Sequence, residues 1–519
     1  MTPYKKKVFM SEFNSCKYYK ILEALAKRPI DLTKDGVLSL QRIKDFQSKN
    51  GPFSLLYATQ RVDQKVLDAL FALAKERKTV DNMHLMQDGE VLNFISGIEC
   101  ENRSALHTAM RDFFDVPRKA TVAKEATKLA YEELLKLKKF IKKTEDFTDI
   151  IHIGIGGSAL GPKAIYTALE FLAKKKVYFV SNVDPDNIEY VLKKINLKKT
   201  LVISVSKSGT TPETLNNELL IRKAFERAKI DANRHVVAVT GKNSPMDNPK
   251  KYLESFYIWD YVGGRYSATS MVGAVSLCLS LGEDNFMQIL KGAHEMDKIA
   301  LEEGKNNLPL MAALLGIWNR NFLSLPTLAV VPYSQALNFL VEHLQQCDME
   351  SNGKMLEKTG KLVDFATGPI IFGGTGTDCQ HSFFQYLHQG SQIVPVEFIG
   401  FTNSQYENSD KLSQQKLLSN LFAQACALAL GKNDKNPNKM FFGNRPSSIL
   451  LADRLTPFNM GALLAYFEHK VVFQGFLWDI NSFDQEGVQL GKILADKFFS
   501  AFNGKNDFLL AEGFIKTLR

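Results

Sequence analysis

Residues 149–159 read DIIHIGIGGSA, and this stretch decides the fold. Its first seven residues, 149–155, form a short β-rich run of the kind found in buried strands. The glycines and Ser158 that follow predict a turn that opens a helix. Such a turn brings free backbone N–H groups and a hydroxyl to the positive end of a helix, where anions bind. The stretch therefore predicts a strand, loop and helix with an anion site at the end of the strand.

Outward from this unit, short β-rich runs alternate with helical stretches. The runs are 176–183, 200–205 and 235–240 in one series and 327–332, 369–373 and 393–399 in a second. This alternation is the pattern of a parallel sheet. Upstream, 66–78 and 120–143 have helical spacing, and the first 115 residues show no strand pattern. The sequence predicts two α/β domains joined between residues 282 and 309, behind a helical N-terminal region.

The composition is that of a water-soluble globular chain. Of 519 residues, 45% are hydrophobic and 23% are charged. No apolar run approaches the roughly 18 residues that span a bilayer, and the first twenty residues lack the apolar core of a signal peptide. We therefore expect a cytoplasmic protein. Six scattered cysteines without C-x-x-C spacing predict neither a disulfide framework nor a zinc site.

The net charge of +9 raises the question of a nucleic-acid partner. The excess lies in short lysine-rich runs at 5–7, 136–143 and 174–176, without the interleaved aromatic residues of a groove that binds single strands. Solvated helix faces explain these runs better, so we expect no nucleic-acid partner. A modest positive field also favours an anionic substrate.

A second polar loop follows the run 200–205. Residues 206–214 read SKSGTTPET, which places five hydroxyls at a strand-to-helix turn with Pro212 in the first helical turn. Hydroxyl and N–H groups in such a loop can surround a phosphate. The alternative is a capping box formed by Thr210 and Glu213, with the other hydroxyls exposed to water. Because capping needs one hydroxyl and the loop supplies five, we favour phosphate binding.

A dinucleotide site is an alternative for the first loop. Residues 154–159 match the dinucleotide fingerprint G-x-G-x-x-A, but the ribose-binding carboxylate expected about 20 residues later is missing. Asp184 lies 30 residues from Gly154. Because both loops follow parallel strands of one predicted sheet, we expect them to bind one terminal phosphate rather than a nucleotide.

Two segments in the middle of the chain could carry chemistry. Arg265 follows paired glycines in GGRYS and could stabilise an oxyanion, although a structural arginine in a surface turn fits equally well. Gln346 and Glu350 share a face if their helix persists. By itself, Glu350 is best interpreted as an exposed carboxylate at a helix end.

Further candidates lie toward the C-terminus. His381 follows a glycine-rich loop, and histidine can exchange protons near neutral pH, although a capped helix explains the loop as well. Gln485 and Lys492 are seven residues apart, so they would point the same way on a helix. A lone pair of this kind establishes no function.

Together, six motifs closely resemble those of the phosphoglucose isomerase (glucose-6-phosphate isomerase) family. They are IGIGGSALGP, SKSGTTPET, GGRYS, DMESNGK, GTDCQH and FDQEGVQLGK, in that family's order and at about its spacing. The likeness extends to GIECENRSALHTAMR at 97–111 and so covers nearly the whole chain. It implies two sugar-isomerase (SIS) α/β domains with parallel sheets flanked by helices, at 116–290 and 305–497. It also implies a helical N-terminal region at 1–115 and a C-terminal helical tail at 498–519.

The resemblance implies a reaction as well. This is the reversible isomerisation of glucose 6-phosphate to fructose 6-phosphate through a cis-enediolate, in glycolysis and gluconeogenesis, by a homodimer that needs no metal or nucleotide. The substrate-binding residues would be Gly157, Ser158, Ser206, Lys207, Ser208 and Thr211 around the phosphate, with Gln346 and Gln485 at the sugar. The catalytic residues would be Glu350 as base, Arg265 at the enediolate, and Lys492 with the partner subunit's His381 in opening the ring.

Three positions depart from the family's pattern. Gln489 replaces a usual glutamate, Ala268 replaces a larger apolar residue or threonine, and Ser208-Gly209 stands where many members have Thr-Phe. These departures affect local packing and remove no implied catalytic group. Two rival functions are a sugar-phosphate sensor, which would need the serine loops but no base, and a nucleotide-dependent dehydrogenase, which would need the missing carboxylate.

Overall fold

The computed structural model describes residues 12–505 and 508–518. It divides into two compact units, Met1–Ser482 and Phe483–Arg519, which we describe separately. Residues 1–11 lie outside the described residues; they include the lysine run at 5–7 and part of the first twenty residues, in which we expect no signal peptide. Every helix within the described ranges is too short or too polar to traverse a lipid bilayer.

The described part of the first unit contains two sheets. In chain order the strands are β1 (Gln47–Asn50), β2 (Phe53–Leu56), β3 (Asp149–Ile153), β4 (Lys176–Val180), β5 (Thr200–Ser206), β6 (Val236–Thr240), β7 (Ser255–Tyr257), β8 (Thr327–Pro332), β9 (Ile370–Gly373), β10 (Val396–Phe401) and β11 (Ser447–Ala452).

Helices pack against both sheets. In the first unit they are α1 (Lys17–Ala26), α2 (Leu40–Asp45), α3 (Gln64–Glu76), α4 (Thr79–Gln87), α5 (Thr121–Ile141), α6 (Leu160–Leu169), α7 (Pro185–Leu192), α8 (Pro212–Arg227), α9 (Met271–Leu281), α10 (Glu283–Ile299), α11 (Leu308–Ile317), α12 (Leu340–Gln345), α13 (Gly376–Gln380), α14 (Phe384–Gln389), α15 (Lys411–Leu430) and α16 (Pro457–Trp478). The second unit contains α17 (Gln489–Phe502) and α18 (Leu509–Lys516).

The first sheet positions both predicted phosphate loops. Its order is β4-β3-β5-β6-β7, and all neighbouring strands are parallel. The four predicted strands are confirmed and begin within one residue of the expected positions, whereas the three-residue β7 was not predicted. β3 and β5 are neighbours, with Ile153 opposite Ser204. The loops that follow these two strands therefore lie side by side at one edge of the sheet.

The second sheet is mixed. Its order is β1-β2-β11-β10-β8-β9, and the strands from β11 to β9 are parallel. Predicted strands β8, β9 and β10 are confirmed, and β11 was not predicted. The β1–β2 hairpin adds to this sheet antiparallel to β11, with Leu56 opposite Ile449. We expected no strand in the first 115 residues. The polar β1 is a strand because it pairs with β2 across a turn at Gly51, where φ is +52°.

A pair of buried helices, α10 and α16, packs with unusually close backbones. A Cβ on Gly292 would lie 1.8 Å from the carbonyl oxygen of Phe458, and one on Gly461 would lie 1.8 Å from that of Ile289. Glycine at both positions thus permits the contact. Residues 460–478 of α16 are all buried, which makes this helix a central element of the core.

The domain boundaries stay predictions. α10 lies within 282–309, where we expect the joint, and both sheets fall in one compact unit. The expected second domain, 305–497, runs past Ser482, where that unit ends.

Candidate active site

The loop between β3 and α6 carries the first predicted anion site. It forms a 3-10 turn over Gly156–Ser158, directly before α6. Gly156 has a φ of +54°, and a Cβ on Gly157 would lie 2.2 Å from the carbonyl carbon and oxygen of Gly264. Only glycine therefore fits where this loop touches the GGRYS segment. The contact brings Ser158 alongside the turn that carries Arg265.

Hydroxyl groups cluster in the loop between β5 and α8. The Oγ of Ser206 lies 2.7 Å from Thr211 Oγ1 and 3.5 Å from Ser208 Oγ, and it accepts the Gly209 N–H at 3.1 Å. α8 begins at Pro212, and its N-cap residue Thr211 makes no side-chain cap hydrogen bond. A capping box of Thr210 and Glu213 needs Thr210 as the N-cap, but the N-cap is Thr211 and the Thr210 hydroxyl donates to Ser208 Oγ at 2.9 Å, so that alternative is wrong. Three hydroxyls at a helix N-terminus form an arrangement suited to a phosphate.

Lys207 connects this loop to the chain just before GGRYS. Its Nζ donates to the backbone carbonyls of Val262 at 3.1 Å and Asp260 at 3.3 Å. Burial, and then the nearby Arg103 guanidinium, lowers the pKa of Lys207 to about 8. An anion bound beside the ammonium would favour its charged form. Lys207 is thus placed to respond to a phosphate in the hydroxyl loop.

Arg265 and Glu350 form the charged centre of the site. Arg265 is 2% exposed, and its Nε donates to Ser351 Oγ at 2.6 Å while its Nη2 donates to the Ser482 carbonyl at 2.5 Å. Nη1 lies 3.7 Å from Glu350 Oε2. That oxygen is buried and accepts no hydrogen bond from any part of the chain that the structure describes. Glu350 is therefore partly buried beside a cation, and the interpretation of it as an exposed carboxylate is wrong.

The helix that carries Gln346 and Glu350 persists, as expected, but in a widened form. Residues Gln346–Glu350 make a π-helical turn after α12, and such turns often occur at functional sites. A Cβ on Gly156 would lie 3.0 Å from Gln346 Nε2, so the amide lies beside the first glycine-serine loop. Gln346 Oε1 is buried without a hydrogen-bond partner in the described chain. Four predicted site segments thus meet: the two loops, the second of which contains Lys207, the GGRYS segment and the π-helical turn.

His381 makes no direct bond to this cluster within the described residues of one chain. It is exposed at the C-terminal end of α13, and its backbone N–H donates to the Asp378 carbonyl at 3.0 Å. Among residues 12–505 and 508–518, no hydrogen bond or ion pair joins its imidazole to Glu350. Its role across a subunit interface stays a prediction.

Gln485 and Lys492 belong to the second compact unit. Gln485 precedes a 3-10 turn, Glu486–Val488, and Lys492 lies in α17, which begins at Gln489. The expectation that both residues point the same way on one helix is wrong, because Gln485 lies before the helix. Their roles at the sugar and in ring opening stay predictions.

Two polar residues that support Arg265 were not identified from the sequence. Tyr266 and Ser351 are buried, and their hydroxyl oxygens lie 2.7 Å apart. Tyr266 also stacks on the ring of His107, with 4.7 Å between ring centroids. The only signal was adjacency, because Tyr266 follows Arg265 and Ser351 follows Glu350.

A buried ion cluster lies behind His107. Arg111 Nη2 donates to Asp297 Oδ1 at 2.7 Å and to Glu468 Oε2 at 2.8 Å, while His469 Nε2 lies 2.6 Å from the same Asp297 oxygen. Burial would raise the pKa of the Asp297 carboxyl, but Arg111 and His469 hold it well below its usual range. The cluster ties the segment 97–111 to α10 and α16.

Metal-ligating side chains are not grouped in the described ranges. No set of three His, Cys, Asp or Glu residues there could hold a metal ion. The chemistry available at the cluster is that of a carboxylate, a guanidinium, an ammonium, an amide and several hydroxyls.

Several known proteins are similar to this chain over nearly its whole length. The sequence model of the family described as phosphoglucose isomerase matches residues 56–509. A glucose-6-phosphate isomerase from Protochlamydia amoebophila is 53% identical over 98% of this chain and 97% of its own. The corresponding protein from Chlamydia caviae is 53% identical over 94% of each chain.

A solved structure has the same fold. The crystal structure of a glucose-6-phosphate isomerase from Chlamydia trachomatis superimposes with a TM-score of 0.94 at 47% identity, and it covers 98% of this chain and 99% of its own. This chain therefore belongs to the phosphoglucose isomerase family.

Proposed function

We propose that this chain interconverts glucose 6-phosphate and fructose 6-phosphate through a cis-enediolate, in glycolysis and gluconeogenesis, with Glu350 as the base. The activity is that of the family to which the chain belongs. The observation that supports the assignment of the base is the 3.7 Å separation between Glu350 Oε2 and Arg265 Nη1 beside the phosphate loops. A carboxylate oxygen with no hydrogen bond can accept a proton while a fixed cation faces the developing charge.

The proposed reaction conserves the proton. In the open aldose, Glu350 removes the hydrogen of C2 and the electron pair forms the C1–C2 double bond of the enediolate. Arg265 stabilises the negative charge that develops on oxygen. Glu350 then delivers the proton to C1, and the hydroxyl proton of O2 passes to O1, so that C1 carries a hydroxyl and C2 becomes the carbonyl of the ketose. Arg265 is held by buried partners before the reaction begins, so little reorganisation is needed.

The phosphate supplies binding energy away from the reacting carbons. The hydroxyls of Ser206, Ser208 and Thr211, together with Lys207 and the Gly157–Ser158 turn, provide donors along one edge of the first sheet. Binding energy at this remote group can align C1 and C2 with Glu350. Gln346 is proposed to hold the sugar between the two centres.

Replacement of the base tests the assignment. Glu350→Gln should lower kcat by about 10²- to 10⁴-fold or more, because the amide cannot accept the proton. The substrate should still bind, as measured by calorimetry. Glu342→Gln is a matched control, because this exposed residue of α12 undergoes the same change and should retain full activity. Turnover by Glu350→Gln at the wild-type rate would refute the base.

Solvent isotope exchange tests the reaction class. In deuterium oxide without added nucleotide or metal, deuterium should appear at C2 of glucose 6-phosphate, because the transferred proton exchanges with solvent on the base. Hydrogen transfer that needs a nucleotide would indicate a dehydrogenase. Binding without exchange would indicate a sugar-phosphate sensor.

We further propose a homodimer in which His381 acts in the partner's site, where Lys492 assists ring opening and Gln485 contacts the sugar. Two observations support this arrangement: His381 is exposed, and among the described residues its imidazole makes no hydrogen bond or ion pair with Glu350. A mixture of Glu350→Gln and His381→Ala chains should then recover about a quarter of wild-type activity, because half the dimers carry one intact site. If His381 acts within its own chain, mixing restores nothing.

The expected location is the cytoplasm. Fractionation of cells with an antibody against the chain tests this proposal, and enrichment in a membrane or secreted fraction would contradict it.

A further inference from the structure

The hydroxyl of Ser351 contacts the two residues that follow the paired glycines of GGRYS. Its Oγ accepts the Arg265 Nε–H at 2.6 Å and lies 2.7 Å from the Tyr266 hydroxyl oxygen. Ser351 is 0% exposed, so no water competes for these contacts at the side-chain surface. Because Ser351 directly follows Glu350, the proposed base and the hydroxyl that binds Arg265 are adjacent residues of the same helical segment.

The Ser351 contact sets the direction of the guanidinium. Nε is bound to Ser351 and Nη2 to the Ser482 carbonyl, at 2.6 and 2.5 Å. Nη1 then stands 3.7 Å from Glu350 Oε2, which is close enough for an ion pair but beyond hydrogen-bond distance. Arg265 is therefore near the carboxylate without occupying its free oxygen.

This separation has a chemical consequence. If the guanidinium turned onto Glu350, its N–H groups would fill the oxygen that must accept the substrate proton. The same rotation would direct the positive charge away from the substrate oxygens. A guanidinium and a carboxylate form a strong two-pronged contact when nothing restrains them. A restraint is thus needed to keep both groups available.

We propose that Ser351 is a positioning residue, which holds Arg265 away from Glu350 and toward the developing oxyanion. This inference rests on the proposed function. Ser351 acts through Arg265 and does not contact the substrate. Tyr266, stacked on His107, in turn fixes the serine hydroxyl.

Kinetics of Ser351→Ala test the proposal. The variant should lose about 10- to 100-fold in kcat, less than removal of an oxyanion donor itself, because the guanidinium remains but is misdirected. KM should stay within about twofold of wild type because the phosphate loops are intact. The affinity for glucitol 6-phosphate, a reduced substrate without a carbonyl, should also be unchanged. Ser351→Thr keeps the hydroxyl and should recover most of the lost kcat.

A double-mutant cycle shows whether the effect passes through Arg265. In an Arg265→Ala background, Ser351→Ala should cause no further loss of kcat, because the group that it orients is gone. Ser280→Ala is a matched control, since the hydroxyl of this buried serine donates to carbonyls of its own helix α9. Its kinetics should equal those of wild type.

Each outcome decides the question. A folded Ser351→Ala variant with wild-type kcat, or one whose loss adds fully to that of Arg265→Ala, would overturn the positioning role. If Ser351→Ala does not fold, Ser351→Cys, which keeps a similar volume but a weaker acceptor, serves for the same comparison. Lack of isomerase activity in the wild type would instead refute the proposed function, so the two failures are distinct.

Discussion

Alanine in place of Gly157 should force apart two loops that meet at the candidate site. The new Cβ would lie 2.2 Å from the carbonyl carbon and oxygen of Gly264 and 2.6 Å from the Arg265 amide nitrogen. All three atoms belong to the backbone, so no side-chain rotation can relieve the contact. The loop after β3 or the GGRYS turn has to move.

The size of that movement follows from the contact distances. Ordinary contact begins at 3.4 Å, so the difference from 2.2 Å requires a separation of at least 1.2 Å. A displacement of about 1 Å at a reacting centre can lower the rate about 10²-fold. We therefore expect kcat/KM to fall about 10²-fold, which corresponds to about 2.7 kcal/mol of transition-state stabilisation.

A coupled isomerase assay, with circular dichroism to confirm folding, measures this effect. Gly513→Ala in the exposed helix α18 is the control, because a Cβ there has no described atom within 4 Å apart from the backbone of its own helix and its chain neighbours. It should leave activity unchanged. A folded Gly157→Ala variant with more than half of the wild-type kcat/KM would refute the reasoning.

Three other predictions concern charge, stability and packing. Because the pKa of Lys207 is about 8, the KM for glucose 6-phosphate in a steady-state assay should rise between pH 7 and 9.5 as the ammonium loses its proton. The KM of Lys207→Arg should stay constant over the same range, because arginine keeps its charge. An equal rise of KM in both proteins would contradict the role of Lys207. Asp297→Asn removes a buried partner of Arg111 and should lower the free energy of unfolding by about 3–5 kcal/mol in urea titrations. Because the pKa of Asp297 is depressed in the folded state, its carboxylate contributes to stability above the ordinary value of 3.8, and this contribution is lost as pH falls below that value. The difference in unfolding free energy between wild type and Asp297→Asn should therefore narrow at low pH. A difference that does not narrow would show that the charge of Asp297 is not the source of the stabilisation. Ala268→Leu should lower the melting temperature, because the Ala268 Cβ lies only 2.7 Å from the position of a Cβ on Gly161 in α6 and a larger side chain would overpack this contact at a cost of about 1–3 kcal/mol. An unchanged melting temperature would show that α6 moves to accommodate the leucine.

The strands that could be predicted are those with a strong local pattern. Every residue of β5 is buried, and its apolar run ends at a polar loop, so the sequence alone locates it. β7 has three residues, too few for a periodic signal. β1 reads QSKN and has no preference for a strand. β1 is extended because it pairs with β2, which in turn pairs with β11, and a short stretch of sequence does not reveal such long-range pairing.

The same limit applies to the candidate site. The loops after β3 and β5 could be located because they follow recognisable strands of one parallel sheet. Glu350 could not be assigned from its own segment, because its burial depends on Arg265 and Ser351 meeting across 86 positions of sequence. Family motifs supplied the assignment that local chemistry left open. The mistaken expectation for Gln485 arose because spacing alone cannot show where a helix begins.

The β1–β2 hairpin is synthesised long before β11, the strand with which it pairs. The Thr59 hydroxyl, just after β2, donates to the carbonyl of Ser447 in β11, 388 residues later. At about 5–20 residues per second, a ribosome needs roughly 20–80 s to make that interval. An isolated two-stranded hairpin is only marginally stable, and its open edge can pair with wrong strands. Ser482, which binds Arg265, emerges later still. A nascent chain shorter than this should therefore be inactive, and its N-terminal strands should need protection by chaperones until the last seventh of translation, when β11 at Ser447–Ala452 has been made.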